Sequence, residues 1–188
     1  MKNKNMGLLL IDVQNGFNDP YWGQPASEEA KKNISKILNY FRQKNRPVYH
    51  AQHLSQNPKS PLKPGQSGVD FMDFAKPILG ERVFQKHAHS AFIGTLLEPI
   101  LRQEKIHTLA IVGITVDHCV STTARMAANL GFEVIIVADG TIAFERVGFD
   151  GTRFSAELVH AVTLASLHKE FGTVLTTNNL IESMESTT

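Results

Sequence analysis

The chain is 188 residues long, 42% hydrophobic and 20% charged, with a formal net charge of +1. These values fit one globular domain spanning residues 1–188, with a substantial core. The basic residues do not cluster, so no nucleic-acid partner is expected. The apolar run 6–11 is too short for a signal-peptide core or a membrane span, which makes a cytoplasmic protein with no membrane partner the expectation. A single cysteine excludes an intrachain disulfide and a zinc–thiolate cluster.

Short apolar runs alternate along the chain with longer helical patterns. Residues 6–12 read as a buried strand, too short and too uniformly apolar for an amphipathic helix. Ser27 is placed as the N-cap of a helix whose inner face carries Ile34, Ile37, Leu38 and Phe41, and which stops before Pro47. A second strand begins with residues 47–50. Residues 55–80, rich in Pro, Gly, Ser and Asn, read as one long excursion; loops of that length tend to be functional, and a lid is one reading. A third short strand covers 82–85. The pattern then predicts a helix over 94–105, with Pro99 in its first turns, and the clearest buried strand of the chain over 108–113. A helix over 117–130 closed by Gly131 follows, then a fifth strand over 132–137. A last long helix covers 155–169, a sixth strand 173–176, and a helical turn with a loose tail 181–188. This alternation implies a mainly parallel sheet covered by helices on both faces. In such sheets, sites gather beyond the carboxyl ends of the strands.

Three reactive residues fall on that edge. Asp12 ends the first strand, Lys86 ends the third, and Cys119 follows the fourth at the start of a helix. Each alone has a plain structural explanation: a turn cap, a solvated charge, a small apolar filler. Their common placement is what points to chemistry. A thiolate attacks carbonyl carbon, whereas an ordinary thiol with a pKa near ~8.5 is mostly protonated at neutral pH. Unpaired N–H groups of the helix start and a nearby Lys86 ammonium are expected to favour the thiolate. The same N–H groups can form an oxyanion hole, a contribution often worth ~3 kcal/mol per donor. Asp12 can take the thiol proton and return it to a leaving nitrogen, giving a thioester that water then hydrolyses, with no cofactor and no metal. His118 is a competing base, but neighbouring helix residues point about 100° apart; a histidine from elsewhere in the fold stays open.

These segments resemble the isochorismatase-like, or cysteine hydrolase, superfamily. Leu8-Leu-Leu-Ile-Asp12-Val-Gln14 is similar to the family's opening strand, and Lys86 followed by Ser90-Ala91-Phe92 to its lysine segment. Gly113-Ile-Thr-Val-Asp-His-Cys119-Val-Ser-Thr-Thr123 matches its cysteine signature. The resemblance implies a doubly wound three-layer α/β/α sandwich with a six-stranded, mainly parallel sheet, a cis peptide between Ile114 and Thr115, backbone oxyanion donors at Thr115 and Cys119, and a homo-oligomer, dimer or tetramer, whose neighbouring subunit helps to close the pocket. Family members that are nicotinamidases bind a divalent metal through an Asp-x-His motif after the second strand. Here that stretch is Tyr49-His50-Ala-Gln-His53, without the aspartate, and on a strand His50 and His53 face opposite ways. Metal dependence is therefore not expected. The cysteine together with Asp12 and Lys86 points to hydrolysis of a C–N bond in a small molecule: an amide, a carbamoyl compound or a lactam.

The substrate pocket is expected on the same edge, drawing on Phe17, Trp22, His53 and Phe92. Phe17, Tyr21 and Trp22 read equally as an aromatic wall or as a pin holding their loop to the body, Phe92 as pocket or core anchor, and His53 as pocket or structural residue. Arg125 and Arg146 are placed on the surface. Two rival readings stand: an isochorismate-type vinyl ether hydrolase with Cys119 as bystander, and a non-catalytic interaction module.

Overall fold

A computed structural model describes residues 5–186; the loose end expected at 187–188 lies outside the described residues, as does the start of the chain at 1–4. The first strand, β1 (Met6–Ile11), is buried along its whole length. Its alternate side chains serve two separate cores. Leu8 and Leu10 join one with Ile34, Ile37, Leu38 and Phe41 of α1 (Glu29–Gln43), the apolar stripe read from the sequence. Leu9 and Ile11 join the other. A strand that fills cores on both faces has to be apolar throughout, which is why its sequence carries no alternation.

The chain continues through β2 (Val48–His53), β3 (Arg82–Lys86), α2 (Leu97–Gln103), β4 (Thr108–Ile114), α3 (Ser121–Asn129) and β5 (Glu133–Ile142). A two-stranded antiparallel hairpin, β6 (Arg146–Val147) and β7 (Arg153–Phe154), precedes α4 (Ala156–Leu167), β8 (Thr173–Leu175) and α5 (Thr177–Glu185). The six-stranded sheet has the order β3-β2-β1-β4-β5-β8, and all its pairings are parallel. Helices α1 and α5 contribute to the first core, and α2 and α3 to the second, giving the three-layer α/β/α sandwich. Strand order reverses direction between β1 and β4, so the crevice beyond their carboxyl ends is the switch point at which ligands bind in such sheets. Among the described residues, no helix is long and apolar enough to cross a membrane.

Several expected boundaries move. Ser27 does not cap α1, because the helix starts at Glu29 with Glu28 as its cap and no side-chain cap bond. The second strand starts at Val48, one residue after Pro47, and ends at His53. The helix expected over 94–105 is only seven residues, with Pro99 at its third position, where proline's missing N–H costs nothing. The helix expected over 117–130 is divided: a wide π-type turn, Val116–Val120, comes first and α3 follows. Strand β5 extends to Ile142, five residues beyond expectation, because Thr141 and Ile142 still pair with Gly113 and Ile114 across a register shift. The expected terminal turn is the nine-residue α5, whose Thr176 cap accepts from the Asn179 N–H at 3.2 Å.

The excursion 55–80 is anchored. Leu62, Met72 and Ala75 are buried in the first core, Phe71 bridges to Gln14, and the Gln14 and Gln52 side chains both donate to the Val69 carbonyl at 2.8 Å. A lid formed by the whole segment would have to extract those three apolar anchors.

Candidate active site

Asp12 turns the chain out of β1 with φ of 53°, a left-handed conformation that aspartate tolerates better than most residues. The turn is fixed by Gln14, fully buried one residue pair further on. Gln14 Nε2 donates to the His53 carbonyl at 3.0 Å and Oε1 accepts from the His53 N–H at 2.8 Å. The ends of β1 and β2 are thus clamped together, which sets Asp12 and His53 side by side. On the other flank, Gly113 of β4 lies against β1. A Cβ there would stand 2.1 Å from the Ile11 carbonyl oxygen, and its φ is 139°, so only glycine fits.

The Asp12 carboxylate and the Lys86 ammonium form an ion pair at 2.8 Å between Oδ2 and Nζ, with both side chains fully buried. Lys86 ends β3 and reaches past the intervening strand β2 to make it. Its Nζ is also 3.2 Å from the Ala88 carbonyl and 3.3 Å from His53 Nδ1. Three donors therefore meet three acceptors, which assigns His53 the neutral form with its proton on Nε2. Burial, and then the positive charge of Lys86, push the His53 imidazole down to about 4, in keeping with that assignment.

Cys119 sits in the wide turn after β4, 7% exposed and the sole cysteine. The Ile114–Thr115 peptide ahead of it is cis, as the resemblance implies. Cys119 Sγ, the His53 ring and the Asp12 carboxylate place ligand atoms within 4.8 Å of one another. Asp12 Oδ1 is buried and has no hydrogen-bond partner among the described residues. The carboxylate therefore has one oxygen held by Lys86 and one open acceptor beside the thiol. Burial raises the Asp12 carboxyl above its ordinary range, with Lys86 opposing. Burial also raises the thiol, the Asp12 charge adds to the rise, and Lys86 opposes it. The helix start and Lys86 were expected to favour the thiolate; here desolvation and the carboxylate outweigh the lysine and raise the thiol, which leaves Asp12 as the acceptor for its proton.

The remaining expected residues divide. His53 lies in the cluster. Trp22 lines a surface groove with Tyr21, Glu145 and Arg146, and its Nε1 donates to the Gly16 carbonyl at 2.9 Å. Phe17 is buried, 4.8 Å from the Trp22 ring and 6.3 Å from Phe144, so this aromatic group pins its loop to the body. Phe92 is buried and stacked on Phe132 at 6.0 Å, a core anchor instead of an exposed pocket wall. Thr115 is buried with Oγ1 unpartnered among the described residues. Arg125 is engaged by Ser121, Ser166 and the Phe171 ring. Arg146 bonds Asp117 at 2.7 Å, two residues before Cys119, which ties the hairpin to the nucleophile turn.

The Asp12, His53 and Cys119 group has metal-ligand chemistry, but the Lys86 ammonium stands between Asp12 and His53, where a cation would be repelled. His50 points to the opposite face and is held by Glu81 at 2.8 Å. The Tyr49–His53 stretch therefore does not fit the divalent metal bound by nicotinamidases.

Residues 6–179 match the Isochorismatase domain. The chain belongs to the isochorismatase family. The isochorismatase family protein YrdC of Bacillus subtilis is 41% identical over 180 residues, covering 96% of each chain. A solved isochorismatase family structure from Chromobacterium violaceum superposes with a TM-score of 0.94 at 35% identity, covering 99% of this chain and 96% of that one. The ureidoacrylate amidohydrolase RutB of Rhizobium rhizogenes is 27% identical, covering 92% of this chain and 62% of its own. The family is hydrolytic, and this member carries its fold.

Sequence reading missed two residues at the site. Gln14 shows no pattern in the sequence, because its three backbone bonds come from segments 39 and 55 residues away. His89 lies three residues after Lys86, and its Nδ1 stands 3.6 Å from Cys119 Sγ.

Proposed function

We propose that this isochorismatase-family hydrolase cleaves a C–N bond of a small amide, carbamoyl compound or lactam, with Cys119 as nucleophile and no cofactor. The observation that carries the reading is the open Oδ1 of buried Asp12 beside the thiol, with Oδ2 held by Lys86. As sulfur attacks the carbonyl carbon, the thiol proton passes to Asp12, and the carbonyl oxygen gains charge facing the Thr115 and Cys119 N–H groups. Collapse breaks the C–N bond, and the Asp12 proton leaves on the nitrogen, giving free amine and a Cys119 thioester. Water then attacks the thioester, releasing the acid and restoring the thiol. Lys86 opposes the desolvation that raises Asp12 and so favours the charged carboxylate that accepts the thiol proton. The amidohydrolase named among the relatives supports this reading over ether cleavage.

A homo-oligomer belongs to the same proposal. Helix α4 exposes Leu158 and Val162, and Phe149, in the hairpin turn that precedes it along the chain, is fully exposed. With Glu157 as its single acidic residue and no Lys or Arg, α4 suits a second copy of the same apolar face; a sedimenting monomer would contradict it. Amine release from a panel of amides, carbamoyl compounds and lactams, by the native protein and by Cys119→Ala, tests the reaction. Release by the native protein alone is expected. Equal release by both would transfer the chemistry to the ether-hydrolase type of site, in which the thiol is a bystander.

A further inference from the structure

Attack by water on the thioester needs a base within reach of the sulfur. Asp12 is fully buried, with one oxygen tied to Lys86. Lys86 has its three donors engaged, and His53 Nδ1 is held by that ammonium. His118 turns its Nε2 to Asp117 at 3.4 Å. His89 is different. It is exposed at the mouth, yet its Nδ1 is 3.6 Å from Cys119 Sγ. Its ring is held parallel to His53, with centroids 6.4 Å apart and planes 9° apart, and tilted against His118 at 5.8 Å. The imidazole is thereby oriented with one nitrogen over the sulfur and one edge towards solvent.

We propose that His89 is the deacylation base: with its proton on Nε2, its Nδ1 takes a proton from the water that attacks the Cys119 thioester. The water oxygen forms the new bond to carbonyl carbon, the C–S bond breaks, and sulfur leaves with the electron pair. The proton held on His89 then neutralises sulfur as thiol, and the carboxylic acid departs. The two half-reactions thus use different bases on opposite sides of one sulfur: Asp12 from the buried side for acylation and His89 from the solvent side for deacylation. The groups facing His89 are Cys119, Asp12, His53 and His118, and none of the other three combines exposure with an unengaged nitrogen or oxygen at the sulfur. This assignment rests on Cys119 being the nucleophile.

p-Nitrophenyl acetate separates the half-reactions without knowledge of the natural substrate, since nitrophenolate release reports acylation and intact mass reports acetylated enzyme. In His89→Gln, and equally in His89→Asn, nitrophenolate release in the first turnover should stay within about twofold of the native rate. Steady-state turnover should fall at least about tenfold, the lower end expected for loss of a general base, with acetyl-Cys119 accumulating. Hydroxylamine, a nucleophile that needs little help from a base, should bring turnover of both variants back towards the native rate. Unchanged steady-state turnover, or first-turnover and steady-state rates falling together, would overturn the role of His89. Absence of any acetyl label on Cys119 in native and variant proteins would instead overturn the nucleophile assignment, and His89 with it.

Discussion

Lys86→Met removes the cation from a pair in which both side chains are fully buried. The substitution keeps the length and bulk of the stem, so the loss is electrostatic. It leaves the Asp12 carboxylate facing no positive charge and strands the Ala88 carbonyl that Nζ also meets at 3.2 Å. Breaking a buried pair by removing one partner costs ~3–5 kcal/mol. Asp12 can escape that cost by taking up a proton, since burial already raises its carboxyl and Lys86 is the largest opposing influence. The sign follows. With the folded-state pKa above the unfolded value of 3.8, the folded state binds a proton that the unfolded state lacks. Without Lys86 that pKa rises further than in the native protein, so the deficit of the variant should shrink as pH falls, by up to ~1.4 kcal/mol per pH unit within the window between the native and variant folded-state values. Urea unfolding followed by fluorescence of Trp22, the sole tryptophan, at pH 8 and pH 5 measures both quantities. The double variant Lys86→Met/Asp12→Asn should recover most of the loss, because it buries no charge. A deficit below ~1 kcal/mol at pH 8, or one equal at both pH values, would refute the argument that the pair is an obligatory buried ion pair.

Asp12→Asn should abolish turnover, yet speed alkylation of Cys119 by iodoacetamide at pH 8 by at least about fivefold, because the charge that raises the thiol is gone while Lys86 remains; slower alkylation would contradict this electrostatic reading. The His53 imidazole is pushed down to about 4 from 6.5, so its contribution to stability is complete above pH 6.5 and lost as pH falls towards 4. At pH 5 the loss is up to about 2 kcal/mol, and His53→Gln should flatten unfolding free energy between pH 7 and pH 5; an unchanged slope would remove His53 as the cause. Gly113→Ala should cost about 3 kcal/mol or more and reduce turnover, since its Cβ would meet the Ile11 carbonyl oxygen at 2.1 Å; native stability in chemical denaturation would contradict that close approach.

The parts of the fold written in local pattern were legible in the sequence. The uninterrupted apolar runs that became β1 and β4 demanded two-sided burial, and the 3.6-residue stripe of α1 demanded one-sided burial. Asp12, Lys86 and Cys119 could be placed on one edge because strand ends in a parallel sheet share an edge. What the sequence concealed depends on partners distant along the chain. β5 runs past its expected end at 137 to Ile142 because Gly113 and Ile114 offer pairing partners. The segment 55–80 is polar in composition, yet a few scattered apolar anchors fasten it to the core. The direction of the Cys119 shift was missed for the same reason: a helix start and a lysine were visible in the sequence, whereas the degree of burial and the nearness of the Asp12 charge exist only in three dimensions.

The central claim is covalent catalysis by Cys119, and rapidly quenched turnover mixtures analysed by mass spectrometry test it most directly. With the best C–N substrate from the panel, the peptide containing Cys119 should carry the acyl half of that substrate during turnover. The mass should vanish when substrate is exhausted, and Cys119→Ala should show neither label nor amine release. Turnover at the native rate by Cys119→Ala, with no acyl mass on the native peptide at any time, would contradict the account.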